Sequence, residues 1–311
     1  MFFTLFFAHT LSWSPQMLSI AFEIGMRHQT AEFRSRMLNA FRISGDDFTR
    51  AAEGIQWLYT VEKPPYNIPS FDHWHFDYYV YNPENLSKVA QHTYTDCLYY
   101  DITQTQYKLF NKDSSRVWPF SFNLKMYLTL ICDTHSIFHA NELFSKQFPD
   151  GDDHGRKFTV KHNGKDTSLY DFWESGCGEF KDINWNSVNS TADQILKEYP
   201  KNYYDGKIDI PWSSVMSATR SSTIKYGYSS LKIQDSLSEN YIKQCKQITH
   251  QQIARAGYAI QVSLDRIAID NYILPKMTIE GRKSEAYAWS LMAILLPATI
   301  AAIIRRFCGS N

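Results

Sequence analysis

The run LKMYLTLICDTHSIFHA, Leu124 to Ala140, sets the tightest limit on how this chain can fold. Its apolar residues fall at helical spacing and deliver Asp133, with His135 and His139 following within six residues. Further on, in HNGKDTSLYDFWESG, Tyr170 and Glu174 stand four apart, so a helix places them on one face. Carboxylates and imidazoles converging in this way point to a metal site.

Most of the remaining chain is also patterned for helices. Residues 16–28, 31–41 and 46–59 each carry apolar residues at three- and four-residue spacing, with Asp46 or Asp47 placed to cap the third. Residues 86–103, 118–132, 213–226 and 236–269 continue the pattern, and Ser168–Trp173 begins another helix. Residues 158–162 read as a short strand ending in the Asn163-Gly164 turn, a strong hairpin signal. The stretch 178–211 reads as loop-rich. The expected fold is mainly α, one large multi-helix domain with a minor β-hairpin.

The chain's 311 residues can bury a sizeable core. With 44% hydrophobic and 15% aromatic residues it is a folding sequence, not a disordered one. Zero formal net charge excludes a global basic field for nucleic acid or anionic membrane, leaving only local patches. The five cysteines form no CxxC pair, which removes zinc-finger readings. In a secreted chain, pairs among Cys97, Cys177 and Cys245 remain open, and Cys132 in its apolar run reads as a buried thiol.

The two ends carry targeting signals. Residues 1–12, MFFTLFFAHTLS, read as a signal peptide cleaved before Trp13, or otherwise as a buried helix. Residues 286–304 contain no charge and precede Arg305 and Arg306, the pattern of a transmembrane helix, with a buried helix as the alternative. The expected order is signal 1–12, helical domain 13–270, stalk 271–285, transmembrane helix 286–304 and cytoplasmic tail 305–311. That makes a type I protein of the cell surface or secretory membranes, its domain extracellular or lumenal. Asn85 and Asn189 are then glycosylation acceptors.

Four ordered motifs resemble the zinc-dependent single-strand nuclease and phospholipase C superfamily, the class I nucleases. The nearest pattern is that of protozoan membrane-anchored 3′-nucleotidase/nucleases. The motifs are Trp74-His75-Phe76, LKMYLTLICDTHSIFH, NGKDTSLYDFWESG and Ala256-Gly257-Tyr258. The resemblance implies a helical enzyme that uses three zinc ions to hydrolyse phosphodiesters and 3′-phosphates, with single-stranded nucleic acid or nucleotides as partners. Carried over residue by residue, it gives Trp13, His75, Asp133, His139 and Glu174 as metal ligands. Asp133 is also the catalytic residue if hydrolysis survives, and Phe76 is the base-stacking residue. Met17, Gln56, Thr129 and Tyr170 stand where the family places further ligands.

Those replacements are poor zinc ligands. Met17 offers a thioether, Gln56 and Thr129 neutral oxygens, and Tyr170 a hydroxyl whose ordinary pKa is about 10. The resemblance therefore implies a homologue impaired in hydrolysis, with an active surface endonuclease/3′-nucleotidase serving nucleotide salvage as the alternative. His135, Asp153 and His154 are candidates for a rebuilt single site. Tyr170 is expected to hydrogen-bond Glu174 or Asp133.

Overall fold

A computed structural model describes residues 13–43, 45–61, 68–89, 97–110, 117–229 and 231–269. Helices dominate, as the periodicity implies. The expected signal segment, stalk, transmembrane helix and tail lie outside the described residues, and among the described residues no helix is long and apolar enough to cross a membrane.

Helix α1 (Pro15–Gly25) starts cleanly because Ser14 caps it, its hydroxyl accepting from Met17 N, and proline fills the first turn where no N–H is needed. It lies very close to the long α10 (Glu239–Ile269). A Cβ on Gly25 would stand 2.3 Å from Ile260 Cγ2, and one on Gly257 would stand 2.4 Å from Ile24 Cγ2. The helices meet there because both glycines lack that atom. Helix α2 (Ala31–Arg42) is capped by Thr30.

The expected third helix is broken into α3 (Ala51–Gly54) and α4 (Trp57–Val61). Phe41 fills the space beside Gly54 that a side chain would occupy. Asp46 is not its cap but pairs with the buried Lys125 at 2.8 Å, and Glu53 accepts from Arg50 N instead. The helix expected from residue 86 is displaced to α5 (Leu98–Phe110). The Asn82 side chain bonds both Leu86 N and Leu86 O, which closes a turn with Asn85 left-handed and competes with helix formation.

The central element is α6 (Val117–His135), buried throughout from Leu124 onward. A 3-10 turn, Ile137–His139, follows and leads into β2 (Glu142–Leu143), which pairs in parallel with β1 (Val80–Tyr81). This pairing joins the segment after His75 to the segment after His139. Asp77 N donates to His139 O at 2.7 Å, Glu142 N to Tyr79 O at 2.9 Å and Phe144 N to Tyr81 O at 2.8 Å. Two residues per strand are too few to leave an alternating pattern in the sequence.

The hairpin of β3 (Thr159–His162) and β4 (Lys165–Ser168) turns through Asn163 and Gly164, both at positive φ. Ser168 then caps α7 (Leu169–Glu174), accepting from Asp171 N at 2.9 Å. A disulfide between Cys177 and Cys245 ties the end of α7 to α10, while Cys97 and the buried Cys132 are free. The stretch expected as loop contains α8 (Trp185–Glu198), capped by Asn184 and buried through Val188, Ala192 and Ile195. Helix α9 (Trp212–Ser222) continues into a wide π turn, Thr223–Tyr228.

Two apolar cores result. The larger gathers around α1, α6 and α10, and the smaller holds Phe76, Phe138, Tyr170, Trp173 and Tyr228. Asp133 follows Cys132 of the first, and His75 precedes Phe76 of the second. Their contact lies where the two cores meet.

Candidate metal centre

Three elements deliver three ligating side chains to that junction. The turn Pro69–His75 ends on His75, α6 carries Asp133 near its C-terminus, and the turn after α6 presents His139. All three are fully buried, and each offers a ligand atom within 4.8 Å of the others. Among the described residues no other group of His, Cys, Asp and Glu meets that description. His75 Nδ1 is 2.8 Å from Asp133 Oδ2, and His139 Nδ1 is 3.4 Å from Asp133 Oδ1. Glu174, from α7, brings Oε2 to 3.6 Å from His139 Nε2.

The electrostatics are those of a desolvated site. Burial drives His139 well below the ordinary imidazole range, and the nearby His75, His154 and Arg156 push the same way. Burial raises Glu174 to about 8 against the opposing hydrogen bond from the Ser136 hydroxyl. His139 Nδ1 and Glu174 Oε2 are buried with no hydrogen-bond partner. Buried polar atoms without partners are costly, and a cation held among His75, Asp133 and His139 would satisfy His139 Nδ1. Neutral imidazole and carboxylate are ordinary zinc ligands, so the donor set fits one ion.

The other expected positions do not fit further ions. The Tyr170 hydroxyl lies 3.1 Å from His139 Nε2, not on Glu174 or Asp133 as expected, and burial holds the phenol well above its ordinary pKa. The Thr129 hydroxyl donates to Ile55 O at 2.7 Å and to Lys125 O at 3.0 Å. Gln56 Nε2 donates to Ser19 Oγ at 2.7 Å and to Pro15 O at 3.3 Å. Met17 is buried in the core of α1. These side chains are part of the packing and hydrogen bonding around the centre.

Trp13 is buried beside Glu174, sharing a small cavity with His135, Trp173, Thr249 and Gln252, and Ser14 N donates to Glu174 O at 2.9 Å. His135 lines that cavity and stays neutral, burial lowering its pKa to about 3 while Ile131 O bonds Nδ1 at 2.8 Å. His154 stacks on Phe76 with ring centroids 4.4 Å apart, and Asp153 lies at the surface. So His135, His154 and Asp153 do not assemble a rebuilt site. Phe76 is only 1% exposed, covered by His139, His154 and Arg156, and offers no open face to a base. Packing is its role in this structure. Asn85 and Asn189 are both exposed, though Asn189 lies within α8 and accepts from Arg27 Nη1 at 3.1 Å.

Sequence reasoning missed Arg156. Its guanidinium carbon stands 4.7 Å from the ring centroids of both Phe76 and Tyr170. It comes from the polar turn GDDHGR, and no local pattern signals that this turn folds back over the centre.

The protein is thus a mainly helical domain with a buried His–Asp–His group, able to hold a metal ion, at the junction of its cores. Residues 23–268 match the model of the S1/P1 nuclease family, and the chain belongs to that family. The match covers the segment in which the four motifs lie, as the resemblance implies. No curated protein matches the chain.

Proposed function

We propose that this chain is an S1/P1 nuclease-family domain that retains one metal position and has lost or greatly reduced zinc-dependent hydrolysis. The observation that carries this reading is the Tyr170 hydroxyl on His139 Nε2, which engages the nitrogen a second metal would need. The committed hydrogen bonds of Thr129 and Gln56 support it further. Two-metal hydrolases hold their ions about 3.5–4 Å apart to activate water and stabilise the leaving oxygen. Here that requires atoms already engaged elsewhere.

His75, Asp133 and His139 would hold a single zinc, which as a Lewis acid polarises a phosphoryl oxygen. Glu174, kept protonated at neutral pH by burial, and the buried Tyr170 phenol occupy the rest of the centre. The retained His–Asp–His group also supports the second reading, an active endonuclease or 3′-nucleotidase with altered ligation. The Cys177–Cys245 disulfide supports placing the domain in an oxidising compartment. Together with the apolar segment 286–304, it underlies the proposal of a membrane-anchored surface protein.

One preparation of the full chain tests the chemistry. Zinc per chain is measured by atomic spectroscopy, and turnover of single-stranded DNA and adenosine 3′-monophosphate is compared with that of Asp133→Ala. The expected result is at most one zinc and turnover no higher than the control. Two or more zinc ions with turnover abolished by Asp133→Ala would establish the active reading instead.

A further inference from the structure

Three helices finish at one end of the bundle. Helices α6 and α10 run antiparallel, since His135 and Gln252 line one small cavity while the Tyr127 hydroxyl lies 3.1 Å from Ser263 Oγ. At about 1.5 Å per residue, α6 reaches about 14 Å from that contact back to Trp118, and α10 about 9 Å on to Ile269. The C-terminal half of α5 lies at the same level, because Gln106 and Arg266 line one open cleft of about 280 Å³. Half-buried Ile210, Trp212 and Val262 face that cleft as well.

This end carries Tyr107 at 64% exposure and Trp118 at 56%, the two most exposed large apolar side chains among the described residues. Trp118 stacks on Phe122 with ring centroids 5.6 Å apart, which fixes the plane of the exposed indole. The charges nearby are balanced. Arg266 is paired with Asp209 at 2.7 and 2.9 Å, and Asp265 accepts from Gln29 Nε2 at 2.8 Å, with Lys108 exposed beside Tyr107. Such an end offers rings with polar tips, not a basic field. Trp and Tyr of this kind settle at the headgroup level of a bilayer, ring toward the hydrocarbon and polar tip toward water.

It is also the end from which the chain continues to the uncharged run 286–304. Residues 270–285 can separate the two by at most about 58 Å, even fully extended. We propose that this end of the bundle lies against the bilayer, with Trp118 and Tyr107 in its headgroup region. The inference rests on the reading above of a membrane-anchored protein. It adds that the domain meets the membrane with one defined face.

The full chain is reconstituted into phosphatidylcholine vesicles whose acyl chains are brominated near the headgroup, a label that quenches tryptophan at that depth. Retention through an alkaline carbonate wash reports insertion of 286–304. Trp289 lies within that run and is quenched in any inserted chain, so Trp289→Phe leaves only the domain's own signal. That variant should stay clearly quenched, and equally so at high salt, which screens charges but not the burial of rings. Adding Trp118→Phe should remove most of the quenching. Adding Tyr107→Trp instead should increase it, and this variant decides the matter should Trp118→Phe fail to fold. No quenching in Trp289→Phe, the same quenching after Trp118→Phe in a folded chain, or its loss at high salt would overturn the proposal and leave the anchor standing. A crosslinked dimer without lipid quenching would overturn it in favour of a second copy over Trp118. A chain stripped by the carbonate wash would overturn the anchor and this orientation together.

Discussion

The Tyr170 hydroxyl and His139 Nε2 lie 3.1 Å apart, both side chains fully buried and their rings nearly parallel at 8°. Burial holds the phenol neutral, and the contact occupies Nε2 while Nδ1 faces Asp133. One substitution thus engages one ring nitrogen of a retained ligand. It replaces metal coordination by a neutral hydrogen bond that needs no ion.

Tyr170→Phe removes the hydroxyl and leaves His139 Nε2 buried without it. A destabilisation of about 1–3 kcal/mol is expected, read as a lower midpoint in denaturant at unchanged slope. An unchanged midpoint would mean that the hydroxyl contributes nothing to the fold.

Tyr170→His reverses the replacement. His139 and Glu174 are already in place, so the variant should bind one more zinc per chain than wild type at neutral pH, measured by atomic spectroscopy. If the extra ion appears only when Arg156 is also replaced by Gln, the guanidinium is what excludes it.

Asp152 provides a pH prediction away from the centre. Burial raises its pKa from 3.8 to about 7, against hydrogen bonds from Leu143 N and the Tyr228 hydroxyl. The folded chain therefore keeps this proton up to about pH 7, while the unfolded chain releases it near 3.8. Its contribution is fully present below about pH 4 and declines as pH rises to about 7, by at most about 1.4 kcal/mol per pH unit. Asp152→Asn does not titrate, so its melting temperature should fall less than that of wild type across this window. Parallel curves would refute the assignment.

The Cys177–Cys245 bond closes a loop with a sequence separation of 68 and fastens the residues just after Glu174 to α10. Cys177→Ser/Cys245→Ser should lower stability by about 2–4 kcal/mol, and reductant should produce a similar loss in wild type only. Equal denaturation curves for the two proteins under oxidising conditions would remove the bond from the account.

What was legible in the sequence was local. The apolar period of α6, the Asn163-Gly164 turn and the helix beginning at Ser168–Trp173 each depend on neighbours within a few positions, and each stands where the pattern puts it. The metal-ligand candidates His75, Asp133 and His139 converge because ordered motifs carried them. What escaped was set by distant partners. Asp46 is not a cap because Lys125, far along the chain, takes its carboxylate. Tyr170 bonds His139 and not Glu174, because four-residue spacing shows which residues share a face but not which atom lies opposite. Helix α8 was hidden in a polar composition whose few apolar residues still fall on one side.

The short β1–β2 pairing also acts as a splice. Tyr81 is held by Phe144 N at 2.8 Å, and Leu98 N is held by Phe76 O at 3.0 Å. Both margins of the span from 82 to 97 are thus fastened to the segments that carry His75 and His139. The main-chain bonds at these two margins keep the buried ligands His75 and His139 in register with each other.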